Sequence, residues 1–374
     1  MLWLVGQPDT IAYTKRLHKN PLSIHILISR INLSYMGYQE YLAARELVST
    51  FGQPILNYAT LISAILLLLS FYYLVKREER LIEYSIKLLQ VNTILIVLGF
   101  AVLMWFHFKI YNTIEVIYPE YVTAYMYQTS EIQLTSSRFA IPLWIETEKL
   151  YFWLLWLSLF AWQISRKYRD SARGMIVSLN VMLSLLVILI YLYSNPFVDP
   201  LPIVHSEITN WSQAIAMQDQ QIIGQMSMQL FGRITYYYNT MYMWTHPPML
   251  FISYASLAVT FAACVFMLLK KDEVYDRIAY AHAKIGYLLL TVGMLIGYPW
   301  AVLAWDGDWW WDSKINGSIM MWVLYSAYLH TRIHIHRKRM WEVTAILGII
   351  CFISLVFTYF LTYVVPGIHS VAQT

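Results

Sequence analysis

Two residue types in this chain, tryptophan and histidine, are grouped in a way that suits ligand chemistry. Trp305, Trp309, Trp310 and Trp311 lie with Asp306, Asp308 and Asp312 in the single short stretch WDGDWWWD. Flat indole faces make a platform for a planar apolar ligand, and they also settle at membrane interfaces as aromatic belts. An apolar run with His330 near its far end follows directly. His246 opens another such run in WTHPPMLF, and His369 follows a third in VVPGIHS. Neutral imidazole is a good ligand for iron, and two of them can hold a haem from its two axial sides. Any one of these histidines taken alone reads first as a hydrogen-bonded residue at a helix end.

The elements that must position these groups follow from composition. The chain has 374 residues, 59% of them hydrophobic and 13% charged, with a mean hydropathy of +0.49. Soluble domains carry about 25% charged residues, so the composition is that of a membrane protein. Apolar runs near the roughly 20 residues that cross a bilayer fall at 55–75, 88–108, 146–164, 174–194, 247–269, 280–303, 317–333 and 343–365. The expected fold is therefore an all-α polytopic membrane protein of about eight transmembrane helices, with the tryptophan-rich loop on one face. The net charge of +4 is small and dispersed, which excludes the basic face that nucleic-acid binding needs. Cys264 and Cys351 sit far apart in apolar runs with no C-x-x-C pairing and read as small buried hydrophobes. The N-terminal MLWLVGQPDT lacks the basic and apolar regions of a cleaved signal.

Loop charges orient the spans. Lys76, Arg77, Arg80 and Lys87 follow the first span; Arg166, Lys167, Arg169 and Arg173 follow the third. Lys270, Lys271, Arg277 and Lys284 join the fifth to the sixth, and Arg332, Arg337, Lys338 and Arg339 the seventh to the eighth. Alternate connections are basic and those between are nearly bare, which puts the basic loops in the cytoplasm and both chain ends outside. Residues 1–54, with Lys15, Arg16, Lys19, Arg30 and Arg45, fit this scheme least. They form either a surface helix on the outer leaflet or a half-apolar membrane element around Leu22 to Leu33. The chain thus divides into 1–54, a first helix pair with its outer loop over 55–140, and a principal membrane domain over 141–374.

On this topology His246, His369 and the tryptophan loop share the outer level. His330 lies roughly 20 Å below it at 1.5 Å per residue, and an ionisable group inside a bilayer is a functional candidate by default. His107 falls near the outer end of the second span and His282 near the inner end of the sixth. His334 and His336 read as solvated loop charge, and His18, His25 and His205 show no partner pattern.

WDGDWWWD continuing into SIMMWVLYSAYLHTR resembles the WWD signature of the haem-handling proteins of cytochrome c maturation. The resemblance is strongest to the CcsA/ResC-type subunit of the system II cytochrome c synthase, with a signature near W-G-x-x-W-x-W-D-P-K-E-T, and more distant to the CcmF/CcmC type. Asn195 to Phe197, HPPMLFISY at His246 to Tyr254 and the terminal TYFLTYVVPGIHS agree, so the resemblance covers about 140 to 374. It implies haem b bound on an outer surface between His246 and His369, with His330 holding haem inside the membrane. It assigns Trp305, Trp309, Trp311 and Asp312 to the reacting surface, with Trp310 among the haem contacts.

The implied activity is that of a cytochrome c haem lyase, joining haem to the CxxCH motifs of apocytochrome c. The implied partner is a second membrane subunit of the CcsB/ResB type with a large outer domain. The implied location is the bacterial cytoplasmic membrane or a thylakoid membrane. Asp306, Ser313 and Ile315 depart from the signature's Gly, Pro and Glu; upstream, Arg138 stands where the family has His, and Glu146 where it has Glu. Asp306, Asp308, Asp312 and Lys314 are candidates to orient propionates or the acceptor peptide, or are solvated loop charge. Two other readings share parts of this pattern. One is a haem exporter or chaperone without ligation, and the other a b-type haem electron-transfer subunit.

Overall fold

A computed structural model describes residues 21–117, 141–217, 222–226, 229–230, 241–305, 308–337 and 339–367. Nine long helices carry most of the described chain: α1 Pro21–Lys76, α2 Glu79–Ile117, α3 Glu146–Lys167, α4 Arg173–Tyr193, α5 Pro202–Met217, α6 Met241–Lys270, α7 Glu273–Trp305, α8 Ser313–Ile333 and α9 Met340–Val364. A 3-10 turn, Asp308–Trp311, joins α7 to α8. The described residues contain no strand, so the protein is an all-α polytopic membrane protein.

Each apolar run read from the sequence lies on one of these helices. Six are long and apolar enough to cross a membrane: Tyr38–Lys76, Glu79–Ile110, Arg173–Tyr193, Trp244–Lys270, Glu273–Val302 and Met340–Leu361. α3 and α8 have the length but not the hydropathy. α3 carries Glu146, Glu148, Lys149, Arg166 and Lys167, and α8 carries Lys314, His330 and Arg332. Residues 21–54, expected as a separate segment, continue into the first span as one helix with Pro54 inside it. Residues 1–20 lie outside the described residues.

Two compact units divide inside α1 and are taken in turn. In the unit built from 1–46, 108–138 and 202–234, the Tyr41 hydroxyl lies 3.2 Å from Nδ1 of His205 on α5, with the two rings stacked at 5.8 Å. Tyr38 adds a 3.4 Å bond to Thr209.

The second unit, built from 47–107, 139–201 and 235–374, centres on α6, which packs against α3, α4, α7 and α9. Its buried face includes a set of small residues: Ser253, Ala255, Ser256, Ala258, Ala262, Ala263 and Cys264. Small residues let helix backbones approach where lipid supplies no hydrophobic drive between helices. The connections after α1 and α6 and before α9 are tight, with Arg77, Lys271 and Arg339 in the left-handed region. At the first two, a backbone N–H closes on the carbonyl four residues back (Tyr73, 2.8 Å; Met267, 3.1 Å), the single-bond form of helix termination.

Candidate functional site

The tryptophan loop is built from its cap outward. Asp312 ends the 3-10 turn and N-caps α8: its Oδ1 accepts the N–H groups of Lys314 (3.0 Å) and Ile315 (3.1 Å), and the residue is buried. Asn316 then donates its Nδ2 to the Trp310 carbonyl at 3.2 Å. These bonds fix which indoles face in. Trp309 is 4% exposed, Trp310 52% and Trp311 89%. Trp309 and Trp310 stack at 3.9 Å and 25°, and Tyr298 of α7 meets both edge-on, at 5.3 and 6.0 Å. Trp309 is thus the buried support of a surface presented by Trp310 and Trp311. The side chains of Trp305 and Asp308, and all of Asp306, lie outside the described residues.

Lys314 is committed to a cluster rather than to the loop surface. Its Nζ lies 3.5 Å from Glu146 Oε1 and over the Tyr359 ring. Glu146 also takes a 2.6 Å bond from Lys149 and accepts the Tyr359 hydroxyl at 2.8 Å. With Glu146 16% and Lys314 15% exposed, this knot ties the starts of α3 and α8 to the last turns of α9. Burial lowers the Lys314 ammonium from its ordinary value and the Glu146 carboxylate opposes that fall.

His246 stands near the start of α6. Its Nδ1 lies 2.7 Å from the Gly293 carbonyl, and its ring meets Trp300 edge-on at 5.6 Å. A carbonyl only accepts, so Nδ1 carries the proton and Nε2 the lone pair, the form a metal requires. His369 lies outside the described residues. Gly367, two residues before it, runs beside the α8 cap: a Cβ there would sit 2.8 Å from Asp312 Oδ2. The start of α6, the end of α7 and the start of α8 therefore carry His246, the indole stack and the Asp312 cap beside which Gly367 runs.

His330 lies elsewhere, roughly 25 Å along α8 from Ser313 at 1.5 Å per residue. Its ring is exposed, and Nδ1 lies 2.7 Å from the Ser326 carbonyl, which fixes the same tautomer. Ser326 is in turn bonded to the Tyr287 hydroxyl at 2.8 Å, and Tyr287 stacks on Trp322. Two residues on, Arg332 holds Asp276 through two bonds, 2.8 and 3.3 Å, and covers the Tyr280 ring at 3.8 Å.

Two further membrane histidines, His107 and His282, are buried. His107 is buried against Glu148 at 2.7 Å, whose other oxygen accepts the Trp144 N–H at 2.9 Å. His282 is buried with its ring edge-on to Phe160 at 5.1 Å. Among the described residues no three His, Cys, Asp or Glu side chains converge into a cage for a bare metal ion. An iron carrying four nitrogen ligands of its own needs only axial imidazoles, and the tautomers of His246 and His330 suit that role.

Tyr298, Trp300, Gly293 and Gly297 enter the site without having been singled out from the sequence. Their signal was the G-x-x-x-G of GMLIG, a close-packing pattern in an apolar helix. Glu146 was noted for its place in the sequence, and its partners Lys314 and Tyr359 only the fold reveals.

The fold and site define a class, the all-helical polytopic membrane proteins that carry an exposed indole surface and tautomer-fixed histidines. Within it the chain belongs to the cytochrome c assembly protein family, whose sequence profile matches residues 143–369. It is 29% identical over 190 residues to the "Probable cytochrome c-type biogenesis protein NrfE" of Escherichia coli, covering 49% of this chain and 30% of that one. It is 38% identical over 106 residues to the cytochrome c biogenesis protein CcsA of Prochlorococcus marinus, covering 27% of this chain and 31% of that one. The matched segments thus span less than a third of these relatives. The solved structure named cytochrome c haem lyase CcmF shares the fold, with a TM-score of 0.56 at 18% identity over 83% of this chain and 46% of that one.

Proposed function

We propose that the chain is the membrane subunit of a cytochrome c haem lyase, which brings haem b to the outer face and presents it to the CxxCH motif of apocytochrome c. The observation that carries the reading is His246. Its protonated Nδ1 is committed to the Gly293 carbonyl while its ring stands at the outer end of α7, the helix whose Tyr298 braces the indole stack. In this reading His330 holds haem within the membrane, and His246 and His369 hold it outside as axial ligands. Trp310 and Trp311 give the macrocycle an apolar face, with Trp309 behind them and Trp305 completing the set.

The chemistry belongs to substrate and acceptor. Each acceptor thiol adds across a haem vinyl group, its sulfur bonding to one vinyl carbon and its proton ending on the other. The acceptor histidine replaces one outer imidazole. The protein's share is alignment and exclusion of competing ligands. Asp312 acts on this surface by holding the loop through the α8 cap. A second membrane subunit with a large outer domain completes the enzyme, and the basic loops face the cytoplasm.

The test is expression with an apocytochrome and the second subunit, reading covalent haem after denaturation. His246→Ala is expected to abolish covalent haem, and added imidazole to restore part of it. Haem that reaches the acceptor side but never becomes covalent with the unmodified chain would refute ligation in favour of export.

A further inference from the structure

α6 and α7 form a close helix pair, and glycines of α7 mark the positions where α6 side chains press into it. A Cβ at Gly286 would lie 3.2 Å from Ser256 Cβ, and one at Gly293 would lie 3.0 Å from the flexible end of Leu250. Gly297 differs in kind. A Cβ there would fall 2.5 Å from both Cε1 and Nδ1 of His246 and 3.3 Å from Nε2. The imidazole therefore lies in the space that any other residue at 297 would fill.

We propose that Gly293, Gly297 and Trp300 are positioning residues that fix the tautomer and ring plane of His246 for axial ligation. This rests on the reading of His246 as an outer haem ligand. The Gly293 carbonyl sets the tautomer, because the alternative would turn two acceptors on each other at 2.7 Å. By the helix ladder the same oxygen accepts the Gly297 N–H, so it is anchored before the imidazole arrives. Gly297 holds the ring plane by leaving the slot that the imidazole fills, and Trp300 meets the ring edge-on at 5.6 Å. A hydrogen bond from the far nitrogen to a carbonyl raises imidazole basicity and favours the oxidised metal. The spacing is dictated by helix geometry: Gly293 and Gly297 are four apart and so share one face of α7, and Trp300 follows three residues on.

The experiment compares full-length wild type, Gly297→Ala, Gly286→Ala and His246→Ala, purified in detergent with haem. Low-spin absorbance, midpoint potential and the imidazole response are read. Gly297→Ala is expected to bind haem at this site about tenfold more weakly and to shift the potential, with imidazole restoring the low-spin spectrum. Gly286→Ala, a tight contact on the same helix pair, is expected to match wild type. Equal losses in both alanine variants would reduce the notch to helix packing and overturn the proposal. So would a wild-type spectrum and potential in Gly297→Ala while His246→Ala loses its signal. A wild-type spectrum in His246→Ala would overturn the ligand reading itself, a separate result. If Gly297→Ala does not fold, Trp300→Leu opens the slot without adding bulk. It is expected to shift the potential, and an unchanged potential would overturn the proposal.

Discussion

Removing the Glu146 carboxylate should loosen the tryptophan loop through a cluster that touches no indole. Glu146 and Lys314 lie 3.5 Å apart at 16% and 15% exposure. At an effective dielectric near 20 their attraction is about 5 kcal/mol, and desolvation of both ions returns much of it. Glu146→Leu also strands the Tyr359 hydroxyl, which donates to Oε2 at 2.8 Å. The single variant is therefore expected to cost about 3 kcal/mol, the scale for breaking a buried pair by deleting one partner. Lys314→Met is expected to cost less, because Lys149 remains on the carboxylate at 2.6 Å. In the double variant only Lys149 is left facing the vacated site, and a coupling of about 2 kcal/mol should appear in the cycle. The assay is unfolding in mixed micelles for all four proteins, followed by haem binding to those that fold. Strict additivity of the two substitutions would refute the argument, since it would mean that the ions ignore each other.

The tryptophans should separate by burial. Trp309→Ala, removing a 4% exposed indole, is expected to cost about 3 to 5 kcal/mol in the same assay. Trp311→Ala, at 89% exposure, should change stability by less than about 0.5 kcal/mol and act on haem retention alone. Equal stabilities would refute the assignment of support and surface. On α5, burial and then the nearby Arg45 charge hold the His205 imidazole below its ordinary value of 6.5. The unfolded chain then binds the extra proton first, so stability in this region should fall as pH drops through about 6.5 and below. Hydrogen exchange of α1 and α5 between about pH 5 and 8 reads this. His205→Gln should flatten the profile, and an unchanged profile would refute the assignment.

Much of the fold was legible because membrane insertion is a local reading of sequence. Burying about 20 apolar residues in hydrocarbon needs no knowledge of neighbours, and every run so identified falls on a helix. α3 and α8 are the instructive cases. Their charges leave them short of the hydropathy of a span taken alone, and some of those charges meet partners that sequence distance conceals. Lys314 meets Glu146 from the other end of the domain, and Arg332 closes on Asp276 of the preceding helix.

The sequence by itself determined the membrane class, the loop charges and the residue types available for chemistry. It also determined the family, since short motifs such as WDGDWWWD survive without their context. Tertiary structure decided which tryptophan is support and which is surface, because one 3-10 turn and one aspartate cap rotate three adjacent indoles to different faces. It also decided how His246 and His330 are held. In each case Nδ1 is committed to a backbone carbonyl, and a carbonyl looks the same in every residue of a sequence. The choice of partner rests on where two helices cross and on a glycine that leaves room for a ring, and neither quantity is local.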